Sequence, residues 1–151
     1  MRLIIIIAVF ILSGCSPQVT PFQYQRTGEV NAVNHENSII TISSQSRAET
    51  LIKAITFAER NAFENLLFKG VPNTNQESPL IENEFKALDA NNAFFDRLLV
   101  QHDYKRFIMD SYTHNSSKKN GVILLDQVVK IDINALRKHL QQEGITRKFG
   151  L

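Results

Sequence analysis

The hydrophobic pattern opens with an unbroken apolar run of ten residues, Leu3 to Leu12 (LIIIIAVFIL), behind a single cation at Arg2. Ten residues of helix reach only ~15 Å, about half of a ~30 Å hydrocarbon core, so the run reads as the centre of an export signal rather than a membrane span. Ser16 to Thr27 (SPQVTPFQYQRT) then carries two prolines and little apolar periodicity, which describes an extended tether. Phe22 and Tyr24 stand at strand spacing, so the end of this tether can instead join a sheet.

Beyond residue 28 the pattern alternates between strand and helix periods. Glu29 to Val33 and Ile39 to Ser43 are β-prone runs around the turn formers Asn34-His35-Glu36-Asn37-Ser38, predicting a hairpin with a five-residue connection. Ser46-Arg47-Ala48-Glu49 has the form of a capping box, and Leu51, Ile52, Ile55, Ala58, Ala62 and Leu66 follow in steps of three and four. Phe63 and Leu67 widen that face, and Gly70 and Pro72 end it, so a helix of roughly 24 residues is predicted to form the centre of the core. After the polar loop Val71 to Ser78, a second helical stretch runs through Leu80, Ile81, Phe85 and Leu88. Asp89-Ala90-Asn91-Asn92 caps or interrupts it before Phe94, Phe95, Leu98 and Leu99 carry the apolar face on to His102.

Tyr104 to Tyr112 and Val122 to Ile133 read as strands, the second ending in alternation at Val129, Ile131 and Ile133. Thr113 to Gly121 between them predicts a long-looped hairpin closed by Asn-Gly. Asn134 is placed to cap a short helix, Ala135 to Glu143, that buries Leu136 and Leu140 and stops at Gly144. The resulting order, β-β-α-α-β-β-α, predicts an α+β fold in two layers, an antiparallel sheet with helices on one face.

Composition narrows this reading. Of 151 residues 43% are hydrophobic and 21% charged, which suits one globular domain and excludes a disordered chain. A net charge of +2, without a basic stripe, gives no reason to expect a nucleic-acid partner. A single Cys excludes an internal disulfide framework and a Cys-based zinc site.

The position of that Cys is the most informative point in the sequence. Leu12-Ser13-Gly14-Cys15, directly after the apolar run, resembles the lipobox of bacterial lipoproteins: an aliphatic residue, two small residues, then Cys. The resemblance implies that Cys15 receives a diacylglyceryl group, that a dedicated peptidase recognising Leu12, Ser13 and Gly14 cuts before it, and that the new amino terminus is acylated, for instance with palmitate. Two or three acyl chains anchor a protein stably where one does not. Ser16 stands where many inner-membrane lipoproteins carry Asp, so the resemblance implies an outer-membrane anchor facing the periplasm. The expected organisation is a removed signal (1–14), an acylated Cys with its tether (15–27), and one domain (28–151). The central helix with Lys69-Gly70-Val71-Pro72, and the closing Ile133 to Leu151, are similar in outline to small uncharacterised envelope lipoproteins of Gram-negative bacteria. That likeness has no diagnostic motif and carries over no functional residue.

The rest of the chain offers no constellation for chemistry. His35, His102, His114 and His139 stand alone, so no metal is expected. There is no G-x-S-x-G elbow, and Ser43, Ser44 and Ser46 are better explained by helix capping. Glu59, Glu64, Glu82 and Glu84 are interspersed with Arg60, Lys69 and Lys86 in the manner of a solvated surface, and Lys118-Lys119 reads as a solvated loop pair. The glycines are isolated, which argues against a phosphate-binding loop, and no nucleotide or other cofactor is expected.

Two features suit partner binding. Phe94 and Phe95, adjacent on a helix, cannot both point straight into one core; either both pack within the domain or one lies at an interface. The end of the chain, with Arg147, Lys148 and Phe149, docks on its own domain or serves as a linear segment read by another envelope protein. The expected role is therefore a non-enzymatic accessory or assembly part of an envelope machine such as a secretion system, with the bilayer and other envelope proteins as partners. An inhibitor or immunity-type lipoprotein and a cell-wall hydrolase are the alternatives.

Overall fold

A computed structural model of the chain describes residues 22–36 and 38–147. The signal, the lipobox and Cys15 lie outside the described residues, as do Lys148 and Phe149. The fold is α+β: a four-stranded antiparallel sheet carries the helices on one face, as a two-layer sandwich. Strands β1 (Val30–Glu36), β2 (Ile39–Ala48), β3 (Ile108–Lys119) and β4 (Val122–Asp132) lie in the order β1-β2-β4-β3.

Both hairpins are tighter than the turn formers suggest. β1 continues through Glu36 and β2 starts at Ile39, so Asn34-His35-Glu36 are strand rather than connection. Thr113 to Lys119, expected in a loop, belong to β3 and pair with β4 from Gln127 to Val122. The turn is Asn120-Gly121 alone, with φ of 51° and 80°, the signs that a two-residue hairpin turn requires. A polar run can form this strand because β3 is an edge, where charge and bulges discourage pairing with another chain. Register shifts after Ile108 and Thr113 supply those bulges.

Helix α1 (Leu51–Phe68) is the central helix, but it is 18 residues long and starts later than its sequence suggests. β2 runs on to Ala48, Thr50 is the cap, and its hydroxyl accepts from the Lys53 N–H at 3.3 Å. Ser46 is therefore no cap: it is a buried strand residue whose hydroxyl donates to the Ala54 carbonyl at 2.6 Å. Ala54 and Ala58 let the first turns of α1 lie close on Ala48 and Leu125, while Phe63, Leu66 and Leu67 fill the main core with Ile40, Ile42, Val129 and Ile131.

The second helical stretch breaks where its Asn-rich segment allowed. α2 (Glu84–Ala90) and α3 (Asn92–Phe95) meet at Asn91, and a π-helical turn at Asp96–Val100 and a 3-10 turn at Asp103–Phe107 follow. The strand expected from Tyr104 thus begins only at Ile108, and Tyr104 and Phe107 enter the core from the 3-10 turn. Phe85, expected on the buried face of α2, is exposed. α4 (Ile133–Gln142) starts two residues earlier than expected because Asp132, not Asn134, caps it through Ala135 N–H at 2.9 Å. Among the described residues no helix is long and apolar enough to cross a membrane.

Candidate functional site

The distinctive chemistry of the domain lies on α1, whose second half is buried on every side and yet carries Glu59, Asn61, Glu64 and Asn65. Glu59 is 6% and Glu64 7% exposed, which corrects the expectation of solvated carboxylates at these two positions, while Glu82 is exposed. Such groups stay buried only when bonded, and each has its own partners.

Glu64 organises the segment that follows the tether. Its carboxylate accepts from Arg60 Nε at 2.7 Å and from the Tyr24 hydroxyl at 2.9 Å, while the Arg60 guanidinium lies 4.0 Å over the Tyr24 ring. Tyr24 also meets Phe57 edge-on at 5.4 Å. Burial, then the charge of Glu64, pushes the Tyr24 phenol far above its ordinary value near 10, so it stays protonated and can donate to the Glu64 carboxylate. Arg26 pairs with Glu84 at 2.8 Å, and the Thr27 N–H donates to Asn61 Oδ1 at 2.9 Å. Residues 22–29 thus form a strap along α1. The expected tether ends before Tyr24; Phe22 and Tyr24 do not join the sheet, and the segment meets β2 only at its end, where the Glu29 carbonyl accepts from the Gln45 N–H at 3.3 Å.

Glu59 faces the opposite edge. Its Oε1 accepts from Ser111 Oγ at 2.9 Å; Ser111 accepts from Gln127 Nε2 at 2.7 Å, and Gln127 Oε1 accepts from Thr113 Oγ1 at 2.9 Å. Lys105 Nζ stands 3.7 Å from Oε2, which has no hydrogen-bond partner among the described residues. The chain of bonds seams α1 to β3 and β4. Positions five apart on a helix point about 140° away from each other, and Glu59 and Glu64 accordingly serve two separate networks rather than flanking one cleft.

The expected contact residues fall differently. Phe94 and Phe95 are both buried, 5.0 Å apart and nearly perpendicular. Phe95 reaches Phe68 and Phe94 reaches His139, so both alternatives for this pair resolve to packing within the domain. The closing segment starts by docking on its own helix: the Ile145 and Thr146 N–H groups donate to the Leu140 carbonyl at 2.8 and 3.3 Å, after Gly144 turns at φ 72°. Arg147 is exposed.

His139 lies between the rings of Phe94 and Phe107, with Arg106 Nη2 2.5 Å from its Nε2. An arginine can only donate, so this contact needs a neutral imidazole with a free lone pair. Burial first, and the Arg106 charge second, hold His139 below its ordinary 6.5, against the opposing pull of Glu143 and Asp103. Below pH 6.5 the unfolded chain therefore binds this proton more readily than the folded one, so stability falls as pH drops through that value. We expect His139→Gln to flatten the fall between pH 7 and 5 in denaturant titrations; an unchanged slope would place its origin elsewhere. His102, lowered by burial and by Lys105, contributes in the same direction.

Sequence reasoning missed Tyr24, Asn61 and the burial of both glutamates. The available signal was the i, i+4 pairs Arg60/Glu64 and Asn61/Asn65 among the apolar positions of the helix's second half. Among the described residues no group of three or more His, Cys, Asp or Glu side chains is arranged to hold a metal ion. Comparison with protein-family models, curated proteins and solved structures finds no match.

Proposed function

We propose that the chain is a lipid-anchored protein of the bacterial envelope, exported on residues 1–14 and acylated at Cys15, with its domain in the periplasm beneath the outer membrane. The observation that carries this reading is Leu12-Ser13-Gly14-Cys15, with the chain's only thiol placed directly after a ten-residue apolar run. The strap supports it, because Tyr24, Arg26 and Thr27 fix where a tether from Cys15 meets the folded domain. The domain acts without catalysis, as an accessory or assembly part of an envelope machine such as a secretion system. The engagement of Glu59 and Glu64 in interior hydrogen bonds supports a domain that works through its surfaces.

Labelling with an alkynyl palmitate analogue and fractionation of the envelope test the anchor. Wild type is expected to take the label and remain in membranes after carbonate washing, and Cys15→Ala to lose both. Label on the Cys15→Ala chain would sink the assignment. Crosslinked pulldown from the same envelopes tests the role: an assembly part retains several membrane proteins, whereas recovery of one soluble protein favours an inhibitor.

A further inference from the structure

The described chain begins at one pole of the domain, where exposed apolar side chains and cations share the surface. β2 ends there at Ala48, α1 begins at Leu51, and the Asn120-Gly121 turn joins β3 to β4 beside them, since Ala48 pairs with Ile123 and Ile123 with Lys118. Phe22 lies at the same place, where it lines a groove with Phe57, Ser46 and Arg47. Ile52 is 79% exposed, and Leu51 and Phe22 are each more than a third exposed, so three large apolar side chains meet solvent at this end. The same strand ends and first helical turn carry Arg47, Lys53, Lys118 and Lys119, against the carboxylates Glu29 and Glu49, the latter bridged to Lys53.

We propose that this pole rests on the bilayer, with Ile52, Leu51 and Phe22 entering the interface and the four cations meeting anionic headgroups. The inference rests on the anchor at Cys15. Only residues 16–21 separate Cys15 from Phe22, so the strap starts at most ~25 Å from the acylated residue. A domain held that close presents to the membrane the end from which its tether leaves. Large apolar side chains beside Lys and Arg are the combination that binds anionic interfaces, and at this end the four cations outnumber the carboxylates Glu29 and Glu49.

The chain contains no Trp, which makes a single introduced indole a clean reporter. Ile52→Trp and, as a control on α2, the 82%-exposed Phe85→Trp are made in the full chain. Each is reconstituted into vesicles of phosphatidylethanolamine with phosphatidylglycerol, and into phosphatidylcholine alone. Trp at 52 is expected to emit further to the blue than Trp at 85 and to lose emission to brominated acyl chains. Lys118→Glu with Lys119→Glu is expected to weaken both effects in the anionic vesicles.

Mass spectrometry of the Cys15 peptide, on the same samples, separates the two readings. An acylated chain whose Trp at 52 behaves like Trp at 85 overturns the pole contact and leaves the anchor standing. An unacylated chain overturns the anchor, and emission at lipid excess still decides the pole. A blue shift in native envelopes but not in protein-free vesicles also overturns the lipid contact, in favour of a protein partner.

Discussion

Gly70→Ala is expected to lower the stability of the domain by about 3 kcal/mol and its midpoint temperature by roughly 10 °C. Two physical effects add at this position. Gly70 ends α1 with φ of 81°, a conformation that costs an L side chain about 1–2 kcal/mol. A Cβ built there would also lie 1.9 Å from the Glu77 carbonyl oxygen and 2.5 Å from its carbon, both backbone atoms that cannot rotate away. The returning loop is pressed against the helix end for a reason: the Ile81 N–H donates to the Leu67 carbonyl at 2.9 Å, while the Lys69 and Gly70 N–H groups close on Asn65 at 2.8 Å. The loop thereby satisfies carbonyls that a helix end leaves open. Gly121→Ala isolates the first effect, since its φ is 80° and nothing lies within 4 Å of its Cβ position; about 1 kcal/mol is expected there. Equal losses at the two sites, read by urea and thermal unfolding, would show that the loop at Glu77 yields without cost.

Gly70 was also legible in the sequence, and comparing it with what was not shows where periodicity carries information. The helix stop at Gly70-Val71-Pro72, the Asn-Gly turn and the stop at Gly144 depend on backbone chemistry that these residue types declare directly. The start of α1 was hidden because Ser46 and Glu49 imitate a capping box while β2 alternates through small inward residues, Ser44, Ser46 and Ala48, that carry no hydrophobic signal. The polar half of β3 was hidden for a related reason: an edge strand is specified by its partner β4, not by its own composition. Phe85 kept the helical period and still faces solvent, since a seven-residue helix on the surface has little to bury it.

The buried carboxylates were the hardest to foresee. Glu59 and Glu64 have the spacing to cations of a solvated helix, and only the arrival of β3 on one side and the strap on the other converts them into interior groups. Of the anticipated contact residues, Phe94 and Phe95 were distinguishable from interface residues only once Phe68 and His139 had been placed around them.

Asn61→Ala is the second substitution expected to have a large effect, again about 3 kcal/mol, and its consequence reaches the membrane. Asn61 is 1% exposed and joins three elements. Its Oδ1 accepts the Thr27 N–H of the strap at 2.9 Å, and its Nδ2 donates to Ser44 Oγ on β2 at 2.9 Å and to Thr27 Oγ1 at 3.0 Å. Truncation leaves the Thr27 N–H and the fully buried Ser44 hydroxyl without these partners, and each such loss costs about 1–3 kcal/mol. Ser44→Ala should therefore cost less in the Asn61→Ala background than alone, a coupling that a double-mutant cycle reads directly.

Hydrogen exchange at Thr27 should accelerate more than at the core of β4. The partly exposed Arg26–Glu84 pair is worth at most about 1 kcal/mol, which leaves Tyr24 and the bond from the Gln45 N–H to the Glu29 carbonyl as the main remaining holds. Adding Tyr24→Ala is then expected to free the strap and lengthen the free tether from residues 16–21 to 16–27, raising its reach from ~25 Å to roughly 45 Å. The acylated double variant should stay in membranes while Trp at 52 loses its contact with lipid. Retained quenching at 52 would mean that the pole binds the bilayer without help from the strap; unchanged exchange at Thr27 in Asn61→Ala would mean that Asn61 does not hold it.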